Sequence, residues 1–203
     1  VTFEELGPFD SVLDVGGNVG EFAELARLTW PEAQITSFEP LAGAADANRA
    51  RSRGRWWVEQ VAVSSSTGGG VLHYCVNQHS ASTMQEPGTT RLERFGIVDT
   101  FRDFAVKTRR LDEFAGVAGG RCLVKIDVEG HELEVLAGAA ALLDQVACVV
   151  CEVNQDPHVF EGAPPPAVVD DELRRHGLFF AGVLAVQLDP RGEVVQFDGA
   201  WSR

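Results

Sequence analysis

Basic residues are what this chain is short of: 17 Lys and Arg face 30 Asp and Glu across 203 residues, leaving a formal net charge of −13. A partner gripped through backbone phosphates needs the opposite sign, so neither nucleic acid nor an anionic membrane surface is an expected partner. Long apolar runs are missing too. None reaches the ~20 residues that cross a bilayer, and no basic stretch leads into an apolar one in the manner of a secretory leader. Cysteine is sparse, with Cys75, Cys122, Cys148 and Cys151 scattered through apolar runs, which predicts reduced core thiols and a cytoplasmic protein. Cys148 and Cys151 do form a C-x-x-C, but inside a run that reads as a buried strand, where residues three apart face opposite sides; a zinc or redox pair is not expected there. No repeat and no long linker divides the chain. With 45% apolar and 23% charged residues it has material for a substantial core, and one domain over residues 1–203 is expected. The chain opens on Val1 and not on Met, which leaves open that residues precede it, and no feature assigns an oligomeric state.

What is present is an alternation of strand-like and helix-like runs. Apolar runs at residues 11–15, 34–38, 57–63, 121–128 and 146–153 suit strands buried on both faces. Weaker strand signals fall at 71–76, 104–109, 178–186 and 193–197. Between them, residues 21–30, 41–53, 131–143 and 167–176 read as helices, with Pro31 stopping the first and a short helix starting at Leu111. Residues 64–70 are a turn-rich break, and 77–90 and 155–166 are loops placed to cover a site. The alternation predicts an α/β fold, a mostly parallel central sheet with helices on both faces. Ligands in such sheets bind at the carboxyl ends of the strands, near the reversal of strand order.

Three constellations fall at such strand ends. Asp14-Val15-Gly16-Gly17-Asn18-Val19-Gly20 follows the first strand and opens a helix; its glycines permit a sharp turn and close backbone approach to a ligand. A dinucleotide fingerprint, G-x-G-x-x-G, fails here, because from Gly16 its later glycine positions hold Asn18 and Glu21. Glu39, in Phe38-Glu39-Pro40, ends the second strand about 20 residues on, where a nucleotide-binding sheet places the carboxylate for ribose hydroxyls. The third is Lys125-Ile126-Asp127-Val128-Glu129-Gly130-His131-Glu132, which gathers ionisable groups at a strand end. Such a gathering is costly unless solvated, paired or used. Capping of the following helix accounts for one acid but not for Lys125 and Asp127 inside a strand.

These pieces, with Ala62-Val63-Ser64, Leu111-Asp112-Glu113 and the continuation Leu133-Glu134-Val135-Leu136-Ala137-Gly138-Ala139, resemble the FkbM family of methyltransferases in family order, over about 70% of the chain. The resemblance implies a Rossmann-like class I methyltransferase fold with its last strand antiparallel. It also implies S-adenosylmethionine as methyl donor and a small-molecule hydroxyl acceptor on a sugar, a polyketide or another natural product. On that basis Gly16, Gly17, Asn18 and Gly20 pass beneath the methionine portion, Asp14 orients the loop or the amino group, and Glu39 and Pro40 meet the ribose. Val61 and Ala62 lie near the adenine, with Ser82, Thr83 and Asp127 also lining the cofactor. An aliphatic hydroxyl needs a base or a metal. His131, Asp127 and Glu129 compete as bases. Asp127, Glu152 and Asn154 form a candidate Mg²⁺ set, by analogy of fold with catechol-type methyltransferases. His79 and His158, in the two covering loops, could reach an acceptor. A catalytically inactive cofactor-binding relative and an NAD-type oxidoreductase are the alternatives.

Overall fold

The computed structural model describes residues 1–78, 81–86, 88, 96–156, 160 and 162–203. Along the chain run α1 (Phe3–Leu6), β1 (Ser11–Val15), α2 (Glu21–Thr29), β2 (Gln34–Phe38), α3 (Ala42–Arg51), β3 (Trp56–Glu59), β4 (Ala62–Val63), β5 (Gly68–Cys75) and β6 (Phe101–Arg109). A 3₁₀ segment over Leu111–Val117 leads to β7 (Cys122–Ile126), α4 (Glu132–Gly138), α5 (Ala140–Leu143), β8 (Cys148–Asn154), α6 (Pro166–Arg175), β9 (Phe179–Leu188) and β10 (Val194–Ser202).

Seven strands form the central sheet in the order β3-β2-β1-β7-β8-β10-β9. Neighbours from β3 through β8 pair in parallel, while β10 runs antiparallel to both β8 and β9. β1 and β7 are buried along their whole lengths, as continuous apolar runs require in a sheet covered on both faces. One face packs Phe38, Val124, Leu136, Val149, Leu173 and Trp201 under α4 and α6. The other packs Val12, Ile35, Trp56, Leu123 and Val150 under α1 and α2. Strand order reverses between β1 and β7, which fixes the crevice where a ligand binds. All four cysteines are buried and free. Among the described residues no helix is long and apolar enough to cross a membrane.

β5 begins at Gly68, inside the break expected over residues 64–70, and two further departures shape the site. The single strand expected over residues 57–63 is two. After Glu59 a tight turn, in which the Val61 N–H donates to the Glu59 carbonyl at 3.1 Å, swings β4 out of the main sheet. β4 pairs with β6, and β6 with β5, in a separate three-stranded sheet, β4-β6-β5. The helix expected over 131–143 is also divided, at Ala139. Gly138 there presses on the second sheet, so that a Cβ would lie 2.1 Å from the Ser64 carbonyl oxygen. The freed amide of Leu142 donates to the Asp112 carboxylate at 3.0 Å, which satisfies the new helix start.

Gly138→Ala should therefore destabilise the protein by about 1–3 kcal/mol, the usual cost of overpacking, against the helix propensity that favours Ala. Urea unfolding measures this; equal or greater stability would refute the close approach.

Candidate functional site

The cavity at the β1–β7 switch is built first by backbone. Gly16 follows β1 at φ +83, and a Cβ on it would lie 1.8 Å from the Asp127 carbonyl oxygen, so the two strand ends can converge only without a side chain there. The N–H groups of Gly16 and Gly17 both donate to the Phe38 carbonyl at 3.0 Å, tying the glycine loop to the end of β2. Behind the loop, Trp56 Nε1 donates to Ser37 Oγ at 3.2 Å and Ser37 Oγ to Asp14 Oδ2 at 2.9 Å. Asn48 Nδ2 donates to the carbonyls of Gly17 and Asn18 at 3.1 and 3.2 Å. Burial raises the Asp14 carboxyl to about 6, with Lys125 opposing.

Glu39 is fixed at the end of β2, one oxygen accepting from the Asn18 N–H at 3.0 Å and the other from the Leu41 N–H at 2.8 Å. Each oxygen keeps a second lone pair. Burial pushes its pKa to about 7 against those two hydrogen bonds.

The acidic side of the cavity comes from the ends of β7 and β8. Lys125 Nζ lies 2.8 Å from Asp127 Oδ2; burial alone would lower this lysine, but Asp127, with Asp198 and Glu152, holds it above its ordinary value. One carboxylate oxygen each from Asp127, Glu129 and Glu152 lie within 4.8 Å of one another. Burial, then mutual repulsion, raises Glu129 and Glu152 well above the usual carboxylate range. Oxygen-only donors of this kind suit a hard divalent cation.

Glu129 takes a left-handed backbone (φ +53) that disfavours a side chain. Its carbonyl accepts from Thr83 Oγ1, the Gly130 N–H donates to Glu132 Oε1 at 2.9 Å, and Phe160 packs on Gly130. His131 starts α4 with both ring nitrogens engaged. Nε2 lies 3.0 Å from Ser64 Oγ, and Nδ1 lies 3.3 Å from Gln85 Nε2 and 3.6 Å from Glu134 Oε2. Burial lowers its pKa, opposed by Glu134, which favours the neutral ring.

Of the residues singled out by sequence, Gly16, Asn18, Glu39, Pro40, Val61, Ala62, Ser82, Asp127, Glu129, His131 and Glu152 line this one cavity. Asp14, Gly17, Gly20, Thr83 and Asn154 do not. Asp14 braces the loop from behind, Gly17 and Gly20 shape it, and Thr83, fully buried, serves the Glu129 carbonyl instead. His79 and His158 lie outside the described residues. Leu72, Gln78, Met84, Gln187 and Gln196 also line the cavity and carry no motif. The two final strands supply Gln187 and Gln196, which are register partners. Nothing in the sequence singles out Asn48, in a helix that also carries Asp46, Arg49 and Arg51.

The model of the methyltransferase FkbM domain matches residues 14–180. Similar proteins include the 2-O-methyltransferase NoeI of Sinorhizobium fredii, 29% identical over 175 residues, spanning 82% of this chain and 72% of that protein. Another is the 31-O-demethyl-FK506 methyltransferase FkbM of Streptomyces tacrolimicus, 30% identical over 198 residues and spanning 85% and 74%. The hexuronic acid methyltransferase AglP of Haloferax volcanii is 29% identical over 156 residues, 74% of this chain and 59% of that one. Among solved structures, a putative S-adenosylmethionine-dependent methyltransferase from Listeria monocytogenes superposes with TM-score 0.55 at 8% identity, over 98% of this chain and 95% of that one. Fibrillarin from Aeropyrum pernix, solved with S-adenosyl-L-methionine, gives 0.53 at 10% identity, over 97% and 67%. With the family's motifs set around one cavity in a class I fold, this chain belongs to the FkbM family of S-adenosylmethionine-dependent methyltransferases.

Proposed function

We propose that the protein is an O-methyltransferase that moves the methyl group of S-adenosylmethionine to a hydroxyl of a small molecule such as a sugar or polyketide. The observation that carries this reading is the juxtaposition, in one cavity, of a ribose-type carboxylate, Glu39, with the carboxylates Asp127, Glu129 and Glu152. The names of NoeI and FkbM, both oxygen methyltransferases, and of AglP, acting on a hexuronic acid, support oxygen as the target. Gln187 and Gln196, which also line the cavity, offer both donors and acceptors, which favours a hydroxyl-rich acceptor over an apolar one.

When bound, S-adenosylmethionine supplies a methyl group already activated by its sulfonium. The residues of the chain have three tasks. Glu39 accepts hydrogen bonds from the ribose hydroxyls, with Pro40 beside it. Gly16 and Asn18 underlie the methionine portion, and Val61, Ala62 and Ser82 flank the adenine side. The acidic side places the acceptor oxygen opposite sulfur, about 3 Å from the methyl carbon, in line for displacement. In that geometry the displacement would form the C–O bond as the C–S bond breaks, with the electron pair left on sulfur, and the acidic cluster would take the hydroxyl proton and pass it to water. Asp127 and Glu129 are the side chains assigned to that activation. His131 holds the turn that presents them, because its nitrogens already face Ser64, Gln85 and Glu134. Mg²⁺ on the same carboxylates would supply a Lewis acid at the acceptor oxygen.

Isotope-labelled S-adenosylmethionine with a panel of monosaccharides, uronic acids and hydroxylated macrolides should give products methylated on oxygen. Methylation confined to nitrogen or sulfur acceptors would contradict the reading. Glu39 makes a second prediction. Its ionised form is the better acceptor for two hydroxyls, and its carboxyl titrates near 7, so S-adenosylhomocysteine should bind roughly tenfold more weakly at pH 6 than at pH 8. Glu39→Gln should bind more weakly by ~1–3 kcal/mol with this pH dependence removed. Calorimetry at the two pH values checks both; an unchanged affinity in the variant would take Glu39 out of the role.

A further inference from the structure

The acceptor end of the cavity, as assigned above, gathers more carboxyl groups than the described basic residues around it pair with. Asp127, Glu129 and Glu152 bring three carboxylate oxygens within 4.8 Å of one another, and Asp198 stands opposite Glu152 in the β8–β10 register. Lys125 answers one of these charges, with its ammonium on a single oxygen of Asp127. Capping of α4, the ordinary reason for acids at a helix start, accounts for Glu132, which accepts from the Gly130 N–H; it does not account for the other carboxylates.

A separate observation points the same way. Asn154 is 2% exposed, yet among the described residues neither its carboxamide oxygen nor its nitrogen has a hydrogen-bond partner. It lies two residues beyond Glu152 on β8 and hence on the same face of the sheet, and its cross-strand neighbour Gln196 lines the cavity. Glu152 is in a similar state: Oε1 accepts from Gln196 Nε2 at 2.8 Å, while Oε2 is buried with no partner among the described residues. Buried polar groups are almost always satisfied, and an unsatisfied oxygen within the cluster, with an unsatisfied carboxamide on the same face of β8, is what a bound cation would complete.

We propose that Asp127, Glu129 and Glu152, with the Asn154 carboxamide beside them, hold a hard divalent cation of the Mg²⁺ or Mn²⁺ type. Among the described residues the cluster has oxygen donors and no thiolate or imidazole, a set that favours a hard cation over zinc or copper. Lys125 holds Asp127 through Oδ2, and Gln196 holds Glu152 through Oε1 while Oε2 has no described partner, as outer partners orient ligating carboxylates elsewhere. Three carboxylates and one carboxamide leave about two of the six octahedral positions to water and substrate. The acceptor class that fits carries two neighbouring oxygens, a hydroxyl beside a second hydroxyl or a carbonyl.

The test uses the whole chain, stripped with a chelator, and Mn²⁺ read by electron paramagnetic resonance without cofactor or acceptor. One Mn²⁺ per chain is expected, displaced by Mg²⁺. Affinity should fall by about tenfold or more in Glu129→Gln and Glu152→Gln and severalfold in Asn154→Ala, and stay unchanged in Asp144→Asn, a surface acid paired with His176. Melting temperatures establish that the variants fold, and Glu152→Asp replaces Glu152→Gln with the same expectation if the latter does not. Absence of binding at millimolar Mn²⁺, or binding that the folded Glu129 and Glu152 variants leave unchanged, overturns the proposal. Because the ion is read alone, the site can fail while methyl transfer stands, and methyl transfer can fail while the site stands.

Discussion

At the reversal of strand order two backbones come closer than any side chain would allow, with Gly16 set against the carbonyl of Asp127. That contact joins the two halves of the site. On the β1 side it lets the glycine loop lie across the end of β2, where Phe38 receives two of its N–H groups and Glu39 receives a third from Asn18. On the β7 side it fixes the start of the turn that carries Glu129. Cofactor platform and acidic cluster are therefore held in register by backbone geometry, which is stiffer than any pair of side chains meeting across a crevice.

The second sheet serves the same turn from the opposite direction. Thr83, bridged to His73 of β5, donates to the Glu129 carbonyl; Ser64, just after β4, meets His131; and Gly138 closes the contact between α4 and the Ser64 backbone. Glu129 is thus held in a conformation it would not choose, with its carboxylate in the cavity. The electrostatic consequence is a set of acids that burial makes reluctant to ionise, Asp14 near 6 and Glu39 and Glu132 near 7. Part of the acid surplus behind the formal net charge of −13 is gathered here, at the place where the proposed ribose, sulfonium and cation would bind.

The central sheet was readable because its buried strands are unbroken apolar runs and its helices carry a regular period. The glycine loop, Glu39 and the 125–132 run were readable because their chemistry is local in sequence. The second sheet was not, since a tight turn at residues 59–61 redirects a run whose side chains look the same on either side of the turn. Nor was the division between α4 and α5, which a contact with Ser64 imposes from 74 residues away in sequence, as the numbering of Gly138 and Ser64 gives. Asn48, Gln187 and Gln196 were missed for a related reason. Each is polar, common at surfaces, and given its place by strand pairing or helix packing. The same applies to Thr83, which sequence placed beside the cofactor and the fold turned toward Glu129.

The central claim is that one cavity brings a cofactor's ribose to Glu39 and its sulfur to the Asp127–Glu129–Glu152 cluster. A crystal structure of the protein with S-adenosylhomocysteine tests it most directly. The account predicts both ribose hydroxyls on the Glu39 carboxylate and the sulfur facing the three acids across open space for an acceptor. A ribose held elsewhere, or a sulfur turned away from the cluster, would contradict it.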